Sequence, residues 1–379
     1  MKAWPMSEGE KRRRLTELAA LFLKLGTIGF GGPAAHLAMM EDEVVDQRGW
    51  LTRERFLDLL GATNLIPGPN STEVAIHIGH ARAGPAGLVV AGASFILPAT
   101  LIVGLCARAY VRFGALPEAQ AILYGVKPVI IAIVVQALWR LGRTAGKTPF
   151  LVFVAVAAAV ASLAGVNELL ILLAAGFAVS AARAAFGPHS KGILALAAVP
   201  ATAATGVSFS MGAMFLSFLK VGSVLFGSGY VLLAFLRADL VERHHWLTEA
   251  QLLDAVAVGQ ITPGPVFTTA TFIGYLLGAT PGAAVATLGI FLPAFVFVAA
   301  SGPLVPKLRS SPLAAALLDG VNAGSLGLMA AVTWQLQRAA IQDLATAMLA
   351  VASAGLLLGT RAGSTWLVVG GAVAGWILK

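Results

Sequence analysis

The chain has 379 residues, 58% hydrophobic and only 12% charged, with a mean hydropathy of +0.84. A soluble domain carries about 25% charged residues, so an ordinary soluble protein is excluded, and apolar runs that are continuous rather than alternating exclude a transmembrane β-barrel. The net charge of +8 fits excess Lys and Arg that fix membrane orientation, not a nucleic-acid footprint, and the one cysteine, Cys106, excludes an intramolecular disulfide, a Cys-rich metal site and a cysteine-held iron–sulfur cluster.

In chain order, the basic N-terminus (Lys2, Lys11, Arg12, Arg13, Arg14) reads as a cytoplasmic cap before the first span. No short apolar core with a small-residue cleavage site marks a cleavable signal there. A glycine-rich first segment is expected at roughly 15–38, followed by a polar amphipathic connection from Glu41 to Glu54. Next come a segment at roughly 55–82 interrupted by Pro67-Gly68-Pro69, then spans at roughly 85–111 and 118–140. Two more, at roughly 149–164 and 167–185, flank the polar turn Val166-Asn167-Glu168. A weaker apolar stretch, Gly192 to Val207, contains Pro200. The remaining segments fall at roughly 212–236, 250–278, 282–303, 313–335, 341–358 and 363–378.

This order repeats. FLKLGTIGFGG from Phe22 is echoed by FLKVGSVLFGS from Phe218, and WLTRERFLDLLGATNLIPGPN from Trp50 by WLTEAQLLDAVAVGQITPGPV from Trp246, both 196 residues on. One residue is lost after the second PGP, so that Pro98 pairs with Pro293 and Trp139 with Trp334, 195 apart. The expected fold is therefore an all-α polytopic membrane protein of two homologous halves, 1–190 and 191–379. It has about 10–13 membrane segments, broken at the PGP motifs. Charge placement favours inverted halves: Arg140, Arg143 and Lys147 follow the fourth segment of half one, whereas Lys307 and Arg309 follow the third of half two. The loop after the first segment is acidic in half one (Glu41, Asp42, Glu43, Asp46, Glu54) but carries Arg237, Arg243, His244 and His245 in half two. Arg108 and Arg112 fall on the other side, and a crossing by 192–207 bears on the same question.

The chemistry gathers at the breaks. Proline lacks the N–H and clashes with the preceding turn, so Pro67-Gly68-Pro69 and Pro263-Gly264-Pro265 must interrupt their helices at membrane depth. The half-helix that follows presents free N–H groups and a positive dipole end, an anion site by construction. A packing kink is the alternative for a single copy; two matched copies with polar flanks favour a site. Those flanks are Asn64, Asn70, Ser71, Thr72 and Glu73 in one copy, and Gln260, Thr262, Thr268 and Thr269 in the other. Lys24 and Lys220 recur near the start of the first segments, either facing a dianion or snorkelling to the headgroups. The clusters Gly29-Phe30-Gly31-Gly32-Pro33 and Phe226-Gly227-Ser228-Gly229 read as a second wall, unwound or closely packed.

Half one alone adds titratable groups. Glu73, His77 and His80 share one helix face, with His36 and Arg82 elsewhere in the half, so Glu73, His77 and His36 are candidates for proton coupling. A helix end emerging into water is the bland alternative for His80 and Arg82. Asp58 and Asp254 also match, and helix N-terminal placement beside a basic loop accounts for them. No HExxH, phosphate loop or CxxCH is present, so no metal, nucleotide or haem cofactor is expected.

The series FGGP, RGWLT and PGPN in half one, with FGS, HHWLT and QITPGP in half two, resembles the chromate ion transporter family in its long two-domain form, over nearly the whole chain. The resemblance implies a carrier of the cytoplasmic membrane that exports chromate, coupled to a proton gradient, with antiparallel halves. It places family motif positions at Gly31, Gly32, Pro33, Trp50, Leu51, Pro67, Gly68, Pro69 and Asn70, and at Gly227, Trp246, Pro263, Gly264 and Pro265. Ser228 and Gly229 depart from Gly32 and Pro33, which implies unequal halves. The residues alone reach only a transporter of a small oxyanion in a lipid bilayer. Sulfate as substrate, a passive anion channel, a membrane-embedded enzyme and a homodimeric assembly stay open.

Overall fold

The computed structural model describes residues 7–186, 209–226, 229, 231–309, 311–360 and 363–379, and among them every regular element is a helix. Helix α1 spans Glu8–Ile28, starting where the Ser7 hydroxyl accepts from the Glu10 N–H at 3.2 Å. Pairs one turn apart, Glu10 with Arg14 and Arg13 with Glu17, carry it through the basic residues expected to flank it. Lys24 consequently lies near the end of this helix rather than near its start. At Gly29 the helix stops, with φ +101° at Gly31 and +76° at Gly32, before α2 (Gly32–Glu41). Of the two readings open to this glycine cluster, the unwound one is what forms.

The connection expected from Glu41 to Glu54 is helical through Gln47, because α2 continues as a π-helix, Asp42–Gln47. Arg53 binds back to Glu41 at 3.1 Å and to Asp46 at 3.5 Å. The same rare element recurs one repeat later, where α9 (Leu232–Leu236) continues as a π-helix over Arg237–Arg243. After α3 (Arg53–Thr63) and the first PGP comes α4 (Asn70–Phe113); α10 (Glu249–Ile261) and the second PGP lead likewise to α11 (Thr269–Arg309).

Both long helices are folded hairpins. Backbone angles leave the helical region at Ala83 and Gly84 in α4 and at Gly278 and Ala279 in α11, which are the boundaries expected from sequence. Gly79 faces Gly87 across the first turn and Gly274 faces Gly282 across the second, so closely that a Cβ would overlap the partner carbonyl. Helices α5 (Pro117–Ala145), α6 (Pro149–Leu163), α7 (Glu168–Phe186), α8 (Met211–Val224), α12 (Pro312–Ala340), α13 (Leu344–Gly359) and α14 (Ser364–Leu378) complete the α-helices of the described residues. Among the described residues five helices are long and apolar enough to cross a membrane, two of them the hairpins, and four shorter ones are apolar. This is an all-α membrane protein built from two homologous halves. The stretch 192–207 lies outside the described residues.

The chain forms two compact units, and each draws on both halves. The first comprises the described residues within Met1–Ala115, Met214–Ser223 and Val258–Gly302. Its core sets Leu18, Leu21, Phe22 and Leu25 of α1 against Ala91 and Phe95 of α4, with Met40, Val44 and Phe56 closing over them. The second comprises those within Leu116–Ala213, Val224–Ala257 and Pro303–Lys379. There α5 packs on α13 and α14, while α12 packs on α6 and α7. Gly125 of α5 meets Gly371 of α14, and their repeat-mates 195 residues away, Gly320 of α12 and Gly176 of α7, meet in the same way. Close approach of small residues drives such contacts in a membrane, where lipid supplies no hydrophobic force between helices.

Candidate functional site

The first break runs from Asn64 to Pro69, with Gly68 at φ +139°. The Asn70 amide donates to Asn64 Oδ1 at 3.0 Å and ties the two helix ends together. Helix α4 restarts with Glu73 N–H donating to Pro69 O at 3.0 Å, leaving the preceding N–H groups without helical partners. Thr72 and Glu73 are fully buried and His77 nearly so. Thr72 Oγ1, both Glu73 carboxyl oxygens and His77 Nε2 have no hydrogen-bond partner among the described residues. The Glu73 carboxyl lies against the Gly68 backbone, in the space a Cβ there would need.

The second break is closed differently. Gly264, at φ +89°, donates its N–H to the carbonyl of Gly29 at 2.8 Å. His36, 1% exposed, has Nε2 2.9 Å from the same oxygen. A carbonyl only accepts, so Nε2 carries the ring proton and Nδ1 faces the core without a partner. The threonines are spent locally: Thr262 donates to Val258 O, Thr268 to Pro265 O and Thr269 to Val266 O, each at 2.8 Å. Gln260 is buried beside them. Side-chain donors for an anion therefore concentrate at the first break, and the second offers mainly backbone.

Both breaks belong to the first compact unit and are packed reciprocally. Gly68 of half one approaches Ala294 in α11, a Cβ there lying 3.7 Å from the alanine methyl. Gly264 of half two approaches Ala99 in α4, the repeat-mate of Ala294 195 residues earlier. A side chain at Gly264 would overlap Ala99. Each half thus supplies the wall against which the other half's helix is broken, and two helix N-termini with their positive dipole ends share one unit.

The remaining expected residues fall as follows. Lys24, its side chain 54% exposed, lies with Nζ 2.5 Å from Glu43 Oε1, and Arg48 binds the other oxygen at 3.0 Å. The Lys24 hydrogen bond holds the Glu43 carboxyl below the usual range against the opposing effect of burial, and Arg48 adds to it. Lys24 is thus engaged with the π-helix and not with the breaks, while Lys220 is half-buried on α8. Gly31 and Gly32 shape the α1–α2 break; Gly227 and Ser228 lie outside the described residues. His80 is exposed. Arg82 binds Glu17 at 2.7 Å and stacks over Trp50 at 4.5 Å, with Arg48 5.2 Å from the same ring. In the second repeat His244 stacks on Trp246 at 4.4 Å, in the places of Arg48 and Trp50.

Asp58 is half-buried near Arg55 at 3.8 Å, but Asp254 is 3% exposed and its Oδ1 lies 3.2 Å from Lys127 Nζ. Motif reading passes over Lys127, although a lysine within the apolar run 118–140 is itself a signal. In the second unit a cleft of about 280 Å³ opens beside the turn Val166-Asn167-Glu168. Its arginines are already neutralised, Arg237 by Glu242 and Glu249, and Arg243 by Asp239 and Glu168. Among the described residues no group of three His, Cys, Asp or Glu is placed to hold a metal.

The family model described as "Chromate transporter" matches residues 16–180 and again 212–376, one copy for each repeat. The chain belongs to the chromate transporter family. Among curated relatives, the chromate transport protein of Cupriavidus metallidurans is 36% identical over 366 residues, covering 94% of this chain and 91% of the relative. The probable chromate transport protein of Synechococcus elongatus is 31% identical, covering 96% and 95%. The chromate transport protein of Pseudomonas aeruginosa is also 31% identical, covering 96% and 92%. No solved structure matches.

Proposed function

We propose that the chain is a secondary active transporter that exports chromate across the cytoplasmic membrane, coupled to protons and working by alternating access. Its halves, 1–190 and 191–379, are inverted copies, and its N-terminus is cytoplasmic. The observation that carries this reading is the reciprocal packing of two PGP breaks in one unit, since paired broken helices are how a membrane protein presents backbone donors to an anion. The names of the relatives select chromate, because sulfate is a tetrahedral dianion of similar size that the same donors would accept.

Asn70, Thr72 and the first N–H groups of α4 supply donors, and the N-terminal end of α11 faces the anion with backbone. Glu73 supplies the coupling. An ionised, unpaired carboxylate in such a place costs several kcal/mol, and it repels a dianion held beside it. Anion binding is therefore linked to proton uptake at Glu73, with His77 one turn along the helix and His36 as the further titratable groups. A dianion that leaves moves negative charge outward, which an inside-negative potential drives. In inverted membrane vesicles, labelled chromate uptake should saturate, fall when an ionophore collapses the potential, and exceed sulfate uptake. Uptake that rises without saturation denotes a channel, and preference for sulfate replaces chromate as the substrate.

A further inference from the structure

The Lys127–Asp254 pair is absent from the machinery above, yet it is a full charge pair set inside an apolar span. Lys127 lies within Pro117–Arg143, with its side chain 15% exposed and that of Asp254 4% exposed. A buried ion pair gains little over packed apolar residues, and an ionisable group in a membrane segment costs free energy wherever it is kept. Fold symmetry shows that the glycine packing beside Lys127 does not require the lysine. The contact of Gly125 with Gly371 is reproduced by Gly320 with Gly176, but beside Gly320 the repeat-mate of Lys127 is Asn322. The mate of Asp254 is the half-buried Asp58. The glycine packing of α5 on α14 is thus built with a lysine beside it, and its copy, α12 on α7, with an asparagine there.

We propose that Lys127 is a contact for the transported oxyanion inside the membrane and that Asp254 is its displaceable counterion. This rests on the transport reading. A dianion entering an apolar span needs a fixed cation. Of the two lysines that the motifs single out, Lys24 is mostly exposed and held by Glu43, and Lys220 is only half-buried on α8. Lys127 is enclosed and carries one carboxylate partner of the same sign as the substrate. With no oxyanion present Asp254 keeps the ammonium neutralised, and when the oxyanion arrives it takes the place of the carboxylate on Lys127. Asp254 lies on α10, the helix that precedes the second PGP break in sequence.

The test uses the full chain reconstituted in proteoliposomes, with labelled chromate and labelled sulfate as probes. Asp254→Asn removes the competing carboxylate and should lower the apparent Km for chromate at least about tenfold, as expected for a close charge pair. Lys127→Gln with Asp254→Asn removes both charges of the pair together; it should raise Km at least about tenfold while unfolding at the wild-type temperature. A folded double variant with wild-type Km overturns the proposal, and so does an Asp254→Asn variant whose Km does not move. If Asp254→Asn fails to fold, the double variant decides alone. Wild type that takes up neither anion overturns the transport reading, and this proposal with it.

Discussion

At the scale of single residues, the account turns on positions where one atom decides. Gly264 holds φ +89° with Ala99 against its Cα. Gly264→Ala adds roughly 1–2 kcal/mol of left-handed strain and about 1–3 kcal/mol of overpacking. Its thermal midpoint should fall, and Ala99→Gly in the same chain should restore only the packing part. Glu73→Gln keeps the shape of a buried side chain but cannot ionise. Chromate uptake by this variant should lose most of its pH dependence, keeping what His77, His36 and the protonation of chromate itself contribute, and a profile unchanged from wild type would move the coupling elsewhere. Glu43 gives a second pH effect with a defined sign. Lys24 first, then Arg48, depress its carboxyl in the folded chain, so its stabilisation is complete above the ordinary glutamate value of 4.5 and is lost as pH falls through the folded value. Acid unfolding should therefore lose part of its pH dependence below that point in Glu43→Gln.

At the scale of elements, the hairpin turns and both PGP breaks were legible because they follow from local rules. Proline removes a donor and glycine admits the left-handed region, whatever surrounds them. The start of α1 was not legible, since Lys11 to Arg14 look like a flank until Ser7 caps them and Glu10 and Glu17 pair with them. Neither π-helix was legible: Glu43 is held by Lys24 of α1, and Asp239 by Arg243 of its own π-helix, a spacing that an ordinary α-helix also allows. Lys127 escaped because its charge is not duplicated, whereas duplication was what made Lys24 and Lys220 stand out. The glycine contacts carry their own prediction. Gly125→Val and Gly320→Val each place a branched side chain on a facing backbone, and each should lower detergent-solubilised yield and midpoint. Ala substitutions should do so less.

For the whole molecule, the repeat describes how the chain arose in sequence, and the compact units describe how it holds together. These are different divisions. Half one provides α1–α4 of the first unit and α5–α7 of the second, and half two completes both. Neither half closes a unit alone, which no reading of one repeat reveals. Residues 1–190 and 191–379 expressed separately should therefore fail to accumulate in membranes, and co-expression should restore chromate uptake. Accumulation of either half as a stable protein would mean that the units fold within the repeats.

The central claim is that an oxyanion binds at the helix N-termini beside the PGP breaks, and Asn70→Asp tests it most directly. The change is nearly isosteric, the Asn64 amide can turn to donate to the new carboxylate in place of the lost bond, and an acid in the first turn of α4 favours the helix dipole, so the fold is kept. The added negative charge stands where the anion should bind. The chromate Km measured in inverted vesicles should rise at least about tenfold with the thermal midpoint unchanged or higher. A folded Asn70→Asp transporter with the wild-type Km would contradict the account.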